Sequence, residues 1–323
     1  MNKISPTLSK KIAAANVVFT LLIVWHHLSW NYGLTHITTI SGIAVPSFFA
    51  LSAFLYFINF DFSEPYSSYK SKLRKRTYGL IVPWAVYSII GLIFWLIASK
   101  VNGGGRNPLT EIPEMGVIEY FYTCRPNGPL WYLLALYSFI LIAPILGLII
   151  KRTRYSIFLV IPLFLLCRDM SYNTFPYWIA NIFFGSYIAI YFEEIKGLRI
   201  FKVNYVLPII LIACISLLLA IEDPSLWRGI VPVCVLGIVF ALNRFIPERL
   251  IASLLFLAPY SLMIYCLHLP VSRLMQRVPS MIGISNPVLQ LIAACILTVA
   301  LIVMTGYIIR KKELVWSIAT GGR

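Results

Sequence analysis

Long apolar runs alternate with short polar segments along almost the whole chain of 323 residues. A helix needs about 20 mostly apolar residues to cross a bilayer, and about ten runs approach that length. The predicted spans are residues 11–30, 38–60, 78–98, 129–150, 154–168, 175–193, 203–221, 227–246, 252–271 and 287–309. The pattern therefore predicts an all-α fold, a polytopic transmembrane helix bundle that forms a single domain over residues 1–323.

Composition supports a membrane protein and excludes a soluble one. The chain is 59% hydrophobic and 12% charged, with a mean hydropathy of +0.83, whereas soluble domains carry about 25% charged residues. The net charge of +15 resides in short segments between apolar runs. Orientation signals and lipid headgroups explain such charges, so we expect membrane lipid and no nucleic acid among the partners.

The basic residues also predict the orientation of the chain. If every run crosses the membrane, most of the 27 Lys and Arg residues fall on the side of the N-terminus. Because basic residues concentrate in cytoplasmic segments, both termini are predicted to be cytoplasmic. Lys10 and Lys11 precede the first run as in a signal peptide, but no small-residue cleavage site follows, which indicates a retained first span.

Two adjacent histidines, His26 and His27, lie at the end of the first apolar run. Ionisable residues inside membrane spans are rare and indicate a functional site. At 100° per residue, Asn16, Thr20 and His27 fall within about 40° of one another on a helix. This polar stripe favours His27 as the inward-facing histidine, while His26 is expected near the interface. The alternative is that both histidines are interfacial anchors.

A third histidine, His268, lies on a similar stripe in the ninth predicted span. Ser261, Tyr265, His268 and Ser272 recur at helical spacing. Under the predicted orientation both spans run outward, so His27 and His268 are expected at the same depth. The alternative for His268 is a core histidine that is hydrogen-bonded to a neighbouring helix.

The chemistry expected of these histidines is proton transfer. A catalytic zinc needs about three protein ligands, and the first and ninth spans offer no acidic residue well inside them, so no metal is predicted. A serine hydrolase triad is disfavoured because no GxSxG sequence is present. A neutral histidine acting as general base on a hydroxyl is consistent with the pattern.

Five basic residues occur between Lys70 and Arg76, in the loop predicted between the second and third spans. Lys72, Lys75 and Arg76 are the expected contacts for the phosphates of a cytoplasmic cofactor. The alternative is that this segment binds anionic lipid.

The longest outer segment, residues 99–128, is predicted to help select a substrate. It contains Gly103, Gly104 and Gly105, which indicate mobility. It ends at Arg125 through Gly128, just before Trp131 and Tyr132. Aromatic rings beside polar groups suit a sugar, so Arg125, Trp131, Tyr132 and Tyr265 are candidate substrate-binding residues, with an aromatic interface belt as the alternative.

Five motifs in order give the chain a family resemblance. They are an apolar first span that ends in His27, Phe48–Leu55, Arg76 through Pro83–Trp84, Gly128–Leu133 and Tyr260–His268. Together they resemble the integral-membrane acyltransferase-3 family over about residues 10–310. The sequence departs from the family pattern at Asn16, Ala53 and Gly79.

The resemblance implies an O-acyltransferase of polysaccharide biosynthesis in the bacterial cytoplasmic (inner) membrane. Its donor would be acyl-CoA, usually acetyl-CoA, with no permanently bound cofactor, and its acceptor a hydroxyl of a surface or lipid-linked glycan. The Phe48–Leu55 motif adds Ser52 to the donor-binding candidates, and His27, His268 and His26 are the catalytic ones. The alternatives are a glycan exporter or flippase and a non-catalytic assembly subunit.

Overall fold

The computed structural model describes residues 4–34, 41–102, 106–196 and 248–322. These residues form helices and turns and contain no strand, as the apolar pattern predicts. The helices, which we number α1 to α14 in chain order, are Pro6–Asn31, Ala44–Phe57, Pro65–Asn102, Pro108–Met115, Val117–Tyr122, Trp131–Arg152, Val160–Cys167, Ile179–Ile190, Phe192–Lys196, Glu248–Leu257, Ser261–Met275, Val278–Met281, Pro287–Ile309 and Glu313–Thr320.

Five helical segments are long and apolar enough to cross a membrane, counted over the described residues alone. They are Pro6–Asn31, Pro65–Val101, Gly128–Arg152, Glu248–Met281 and Pro287–Ile309. Two further apolar helical segments, Ala44–Phe57 and Arg154–Cys167, are shorter. The protein is thus an integral membrane protein. The predicted spans at 203–221 and 227–246 lie outside the described residues, so the count of ten spans stays a prediction.

The loop predicted around Lys70–Arg76 is wrong, because these residues are helical. Helix α3 begins at Pro65, 13 residues before the start of the predicted third span, and continues to Asn102. Proline is favoured in the first turn of a helix, and Lys, Arg and Leu are good helix formers. The segment 65–76 is therefore able to continue as helix into the predicted third span. The basic residues thereby acquire fixed positions on a helix surface.

The outer segment before Trp131 is helical over part of its described residues, while Gly103, Gly104 and Gly105, where mobility is predicted, lie outside the described residues. It contains α4 and α5, and α4 begins with Pro108 while the Asn107 side chain accepts a hydrogen bond from the Leu109 amide at 3.1 Å. A 3₁₀ turn, Gly128–Leu130, then leads directly into α6.

The described residues divide into two compact units. Unit 1 holds residues 4–23, 41–73, 138–196 and 248–258, and unit 2 holds residues 24–34, 74–102, 106–137 and 259–322. The prediction of a single domain is not tested by this division and stays a prediction.

In unit 1, α2 packs against α8 at very short range. A Cβ on Gly185 of α8 would overlap the backbone of Ala50 in α2. Small residues at helix contacts in membranes allow backbones to approach in this way. The rings of Phe49 and Trp178 stack beside the contact, with centroids 5.2 Å apart.

In unit 2, α11 packs against α13, and the C-terminal helix α14 closes the core. Gly306 of α13 faces Tyr260, where a Cβ would lie 2.7 Å from the ring. The Tyr87 hydroxyl of α3 donates to the Ala319 carbonyl of α14 at 2.9 Å. All the predicted catalytic and substrate-binding residues lie in this unit.

Candidate functional site

The structure places the imidazole rings of His27 and His268 side by side. Their centroids are 5.0 Å apart and the ring planes differ by 36°. His268 has 0% of its surface exposed, and Tyr265 and Ser272 of the same stripe are also buried. The stripe on α11 therefore faces the interior as predicted, and His27, on the last turns of α1, is half-buried.

The hydrogen bonding of His268 defines its tautomer. Its Nδ1 lies 2.6 Å from the Tyr265 carbonyl oxygen. A carbonyl only accepts hydrogen bonds, so Nδ1 carries the proton and donates it, which leaves an unprotonated lone pair on Nε2. This Nε2 is buried and has no hydrogen-bond partner within the described part of the chain. Because buried polar atoms are rarely left unpaired, the atom is available to a ligand.

A row of aromatic rings extends from the histidine pair to the start of α6. The centroid of Tyr265 lies 6.1 Å from His268 and 5.5 Å from Tyr132, and Tyr132 lies 6.3 Å from Trp131. The Tyr265 hydroxyl donates to the Pro129 carbonyl. The structure thus places Tyr132 next to Tyr265, although the two residues are more than 100 positions apart in the sequence.

Asn127 is a site residue that the sequence reasoning missed. Its side chain is 1% exposed, and its Nδ2 donates to the Cys266 carbonyl at 2.7 Å. Its Oδ1 is buried without a hydrogen-bond partner among the residues described. In sequence, Asn127–Gly128–Pro129 indicates only a turn. The tertiary contact places Asn127 against α11 two residues from His268.

The segment that carries Asn127 is held by α3. The Trp95 indole donates to the Pro126 carbonyl at 3.1 Å. A Cβ on Gly91 would lie 2.9 Å from the carbonyl carbon of Pro126, so only glycine permits this approach. Burial raises the pKa of the nearby Cys124 thiol to about 11. This thiol is protonated at neutral pH and is therefore a poor nucleophile.

His26 and Arg125 lie at the edge of this arrangement. The His26 ring contacts His27 edge to face at 5.5 Å and Trp30 at 6.4 Å. Arg125 is exposed, and its carbonyl accepts a hydrogen bond from the Arg106 guanidinium. Arg125 is thus placed at the surface of unit 2, where its backbone holds a second arginine.

The donor-binding candidates lie on α2 and α3. Lys72 extends over the ring of Tyr56 in α2, with Nζ 5.3 Å from the ring centroid, and half-buried Ser52 lies one turn before Tyr56. Lys75 is exposed and Arg76 is half-buried, both within unit 2. Residues 72, 75 and 76 have the spacing of one helix face.

Comparison with known proteins gives a match to one family. The family model described as an acyltransferase domain matches residues 13–307, which is most of the chain. Comparison with curated proteins and with solved structures finds no match. The matched range contains every candidate residue named above.

Proposed function

The chain belongs to the acyltransferase-3 family, and from this premise we propose that it is a membrane O-acyltransferase. The proposed donor is an acyl-CoA, acetyl-CoA foremost, and the proposed acceptor is a hydroxyl of a surface or lipid-linked glycan. The proposed location is the bacterial cytoplasmic membrane. Acetyl-CoA acts as a substrate, and no cofactor stays bound between turnovers.

The observation that carries this proposal is the paired histidines, whose ring centroids lie 5.0 Å apart. In the proposed reaction, His27 accepts the proton of the acceptor hydroxyl while the hydroxyl oxygen attacks the thioester carbonyl. The C–O bond forms, the C–S bond breaks, and the CoA thiolate leaves. His268, with its bare Nε2 beside His27, orients that ring and stabilises the imidazolium that forms.

The basic face of α3 is proposed to hold the phosphates of the donor. Lys72 reaches α2, which also carries Ser52, and Lys75 and Arg76 extend the charged face along the helix. Charge-assisted contacts to phosphate are among the stronger hydrogen bonds in proteins. Trp131, Tyr132 and Tyr265 are proposed to contact the acceptor, since sugars pack well on aromatic rings.

The test is acetyl transfer by purified protein in lipid nanodiscs, together with mass spectrometry of surface glycans from cells with and without the gene. An added acetyl mass that depends on the gene supports the enzyme. His27→Ala is expected to lower transfer about 10²–10⁴-fold, the usual loss for a general base, with normal insertion. His26→Ala serves as the neighbouring control and should retain most activity.

Two results would contradict the proposal. If His27→Ala keeps full transfer activity and His26→Ala loses it, His26 is the general base and the assignment to His27 is wrong. Movement of a glycan across vesicles without consumption of acetyl-CoA would support the exporter instead of the enzyme.

A further inference from the structure

A cleft of about 720 Å³ opens within unit 2 and contains three arginines. Arg106 precedes α4, Arg273 lies in the last turn of α11, and Arg277 lies just beyond that helix. We call this feature the arginine cleft. Arg106 belongs to the outer segment 99–128, whereas Arg273 and Arg277 lie about 170 residues further along the chain, so the sequence does not predict that the three meet.

The arginines of the cleft form no ion pair with a carboxylate of the described residues. Among the described residues, Arg154 pairs with Glu194 and Arg168 pairs with Asp169, both in unit 1. No carboxylate in the described ranges lies within ion-pair distance of the three cleft arginines. Cations gathered around one cavity repel one another, and a bound anion removes that repulsion.

The walls of the arginine cleft combine aromatic and amide groups. Trp95 lines the cleft with its indole N–H held by the Pro126 carbonyl, and Phe94 lies edge to face against it at 5.2 Å. Gln276 also lines it, and its buried Oε1 has no hydrogen-bond partner in the part of the chain that is described. Its backbone is fixed, because its carbonyl accepts the Tyr32 hydroxyl at 2.6 Å.

The arginine cleft is linked to the histidine pair, because the charge of Arg273 in its lining acts on the His27 ring. Its lining includes Leu269, the residue after His268, and Gly128, the residue after Asn127. His268 and Asn127, which carry the unpaired atoms Nε2 and Oδ1, are thus the sequence neighbours of two lining residues. A ligand bound to Arg273 would therefore lie near His27, the proposed general base.

We propose that the arginine cleft binds the acceptor through an oxyanion, and hence that the acceptor is an anionic glycan or a phosphate-linked sugar. The guanidinium groups bind the phosphate or carboxylate, because their planar donor pairs match its oxygens. Trp95 and Gln276 contact the adjoining sugar. This proposal rests on the proposed acyltransferase function and adds the charge of its acceptor.

The test measures binding of inorganic pyrophosphate and of glucuronate by calorimetry, with protein in nanodiscs of phosphatidylcholine. Wild type is expected to bind at least one of the two probes saturably and less tightly as salt rises, and the stronger probe identifies the phosphate or the carboxylate as the source. The double variant Arg273→Gln, Arg277→Gln should bind that probe at least about tenfold more weakly, as expected for lost charge-assisted contacts. The matched control Arg154→Gln, Arg168→Gln removes two exposed arginines from unit 1 and should bind like wild type.

Three outcomes would overturn the proposal. The first is equal probe binding by wild type and the cleft variant, including no binding by either. The second is loss of acyl-CoA affinity in that variant, which would give the cleft to the donor. The third is complete displacement of the probe in phosphatidylglycerol nanodiscs, which would assign the cleft to lipid headgroups. If wild type transfers no acetyl group but still binds the anion through the cleft, only the proposed function is refuted.

Discussion

At the scale of single residues, the hydrogen bond between His268 and Tyr265 decides which ring nitrogen is bare. Nδ1 donates to the carbonyl, and Nε2 is left buried without a partner among the described residues. A purely structural histidine needs only the first of these atoms. A reacting histidine needs the second, so the two roles are separable by substitution.

His268→Asn is expected to lower acyl transfer about 10²-fold, because the amide can still donate to the Tyr265 carbonyl while no atom replaces Nε2. His268→Gln, which can place a polar atom near the Nε2 position, should retain more activity than Asn. The measurement is the initial rate of transfer at matched protein levels. Wild-type rates in His268→Asn would reduce His268 to a structural residue.

Trp131 allows a second test at this scale. Trp131→Ala should impair transfer to the glycan and leave slow hydrolysis of acetyl-CoA intact, because the half-buried ring is proposed to contact only the acceptor. Trp30→Ala is the control, since Trp30 is 59% exposed. If hydrolysis and transfer fall in equal proportion, Trp131 supports the fold or the donor site instead.

At the scale of elements, the helical form of Pro65–Asn102 turns a run of basic residues into two distinct faces. At 100° per residue, Lys72, Lys75 and Arg76 fall within about 100° of one another, and Arg74 points about 160° away from Lys72 and Arg76.

Arg76→Ala is accordingly expected to weaken acyl-CoA binding about tenfold, as one charge-assisted contact is lost. Acceptor preference should not change. Arg74→Ala removes the same charge from the opposite face and should bind the donor normally, as measured by calorimetry on purified protein. Equal losses in both variants would indicate a general electrostatic effect of the segment.

The contact between α2 and α8 gives a stability prediction. Gly185→Ala should destabilise the protein by about 1–3 kcal/mol, the usual cost of overpacking, because the added Cβ would overlap the Ala50 backbone. Gly128→Ala meets nothing within 4 Å of its new Cβ and is the control. The measurement is thermal unfolding in detergent. Unchanged unfolding of Gly185→Ala would refute the close approach.

At the scale of the whole molecule, the predicted even number of spans requires both ends of the chain on the same side. Reporter fusions at residue 1 and at residue 323 are expected to give cytoplasmic signals from both ends. A further fusion after Arg125 should report the outer side. Opposite signals from the two termini would mean that the number of spans is odd, and the assignment of outer residues would change with it.

The sequence by itself determined the helical membrane architecture and the inward face of α11. Both follow from local rules, because a buried backbone in lipid must satisfy its hydrogen bonds within helices, and helical spacing places Tyr265, His268 and Ser272 on one side. The apolar pattern predicts a loop at 70–76, because the third apolar run begins only at residue 78. Exposure and helix formation are compatible when the residues are good helix formers.

Only the tertiary structure decided which distant residues meet. Helix packing brings the rings of His27 and His268 to 5.0 Å from each other and bonds Asn127 to the Cys266 carbonyl. It also places Arg106, Arg273 and Arg277 around one cleft. Packing is set by small residues such as Gly91 and Gly306, whose partners no periodicity identifies. The sequence specifies the face that a side chain occupies, and helix packing selects the groups it contacts.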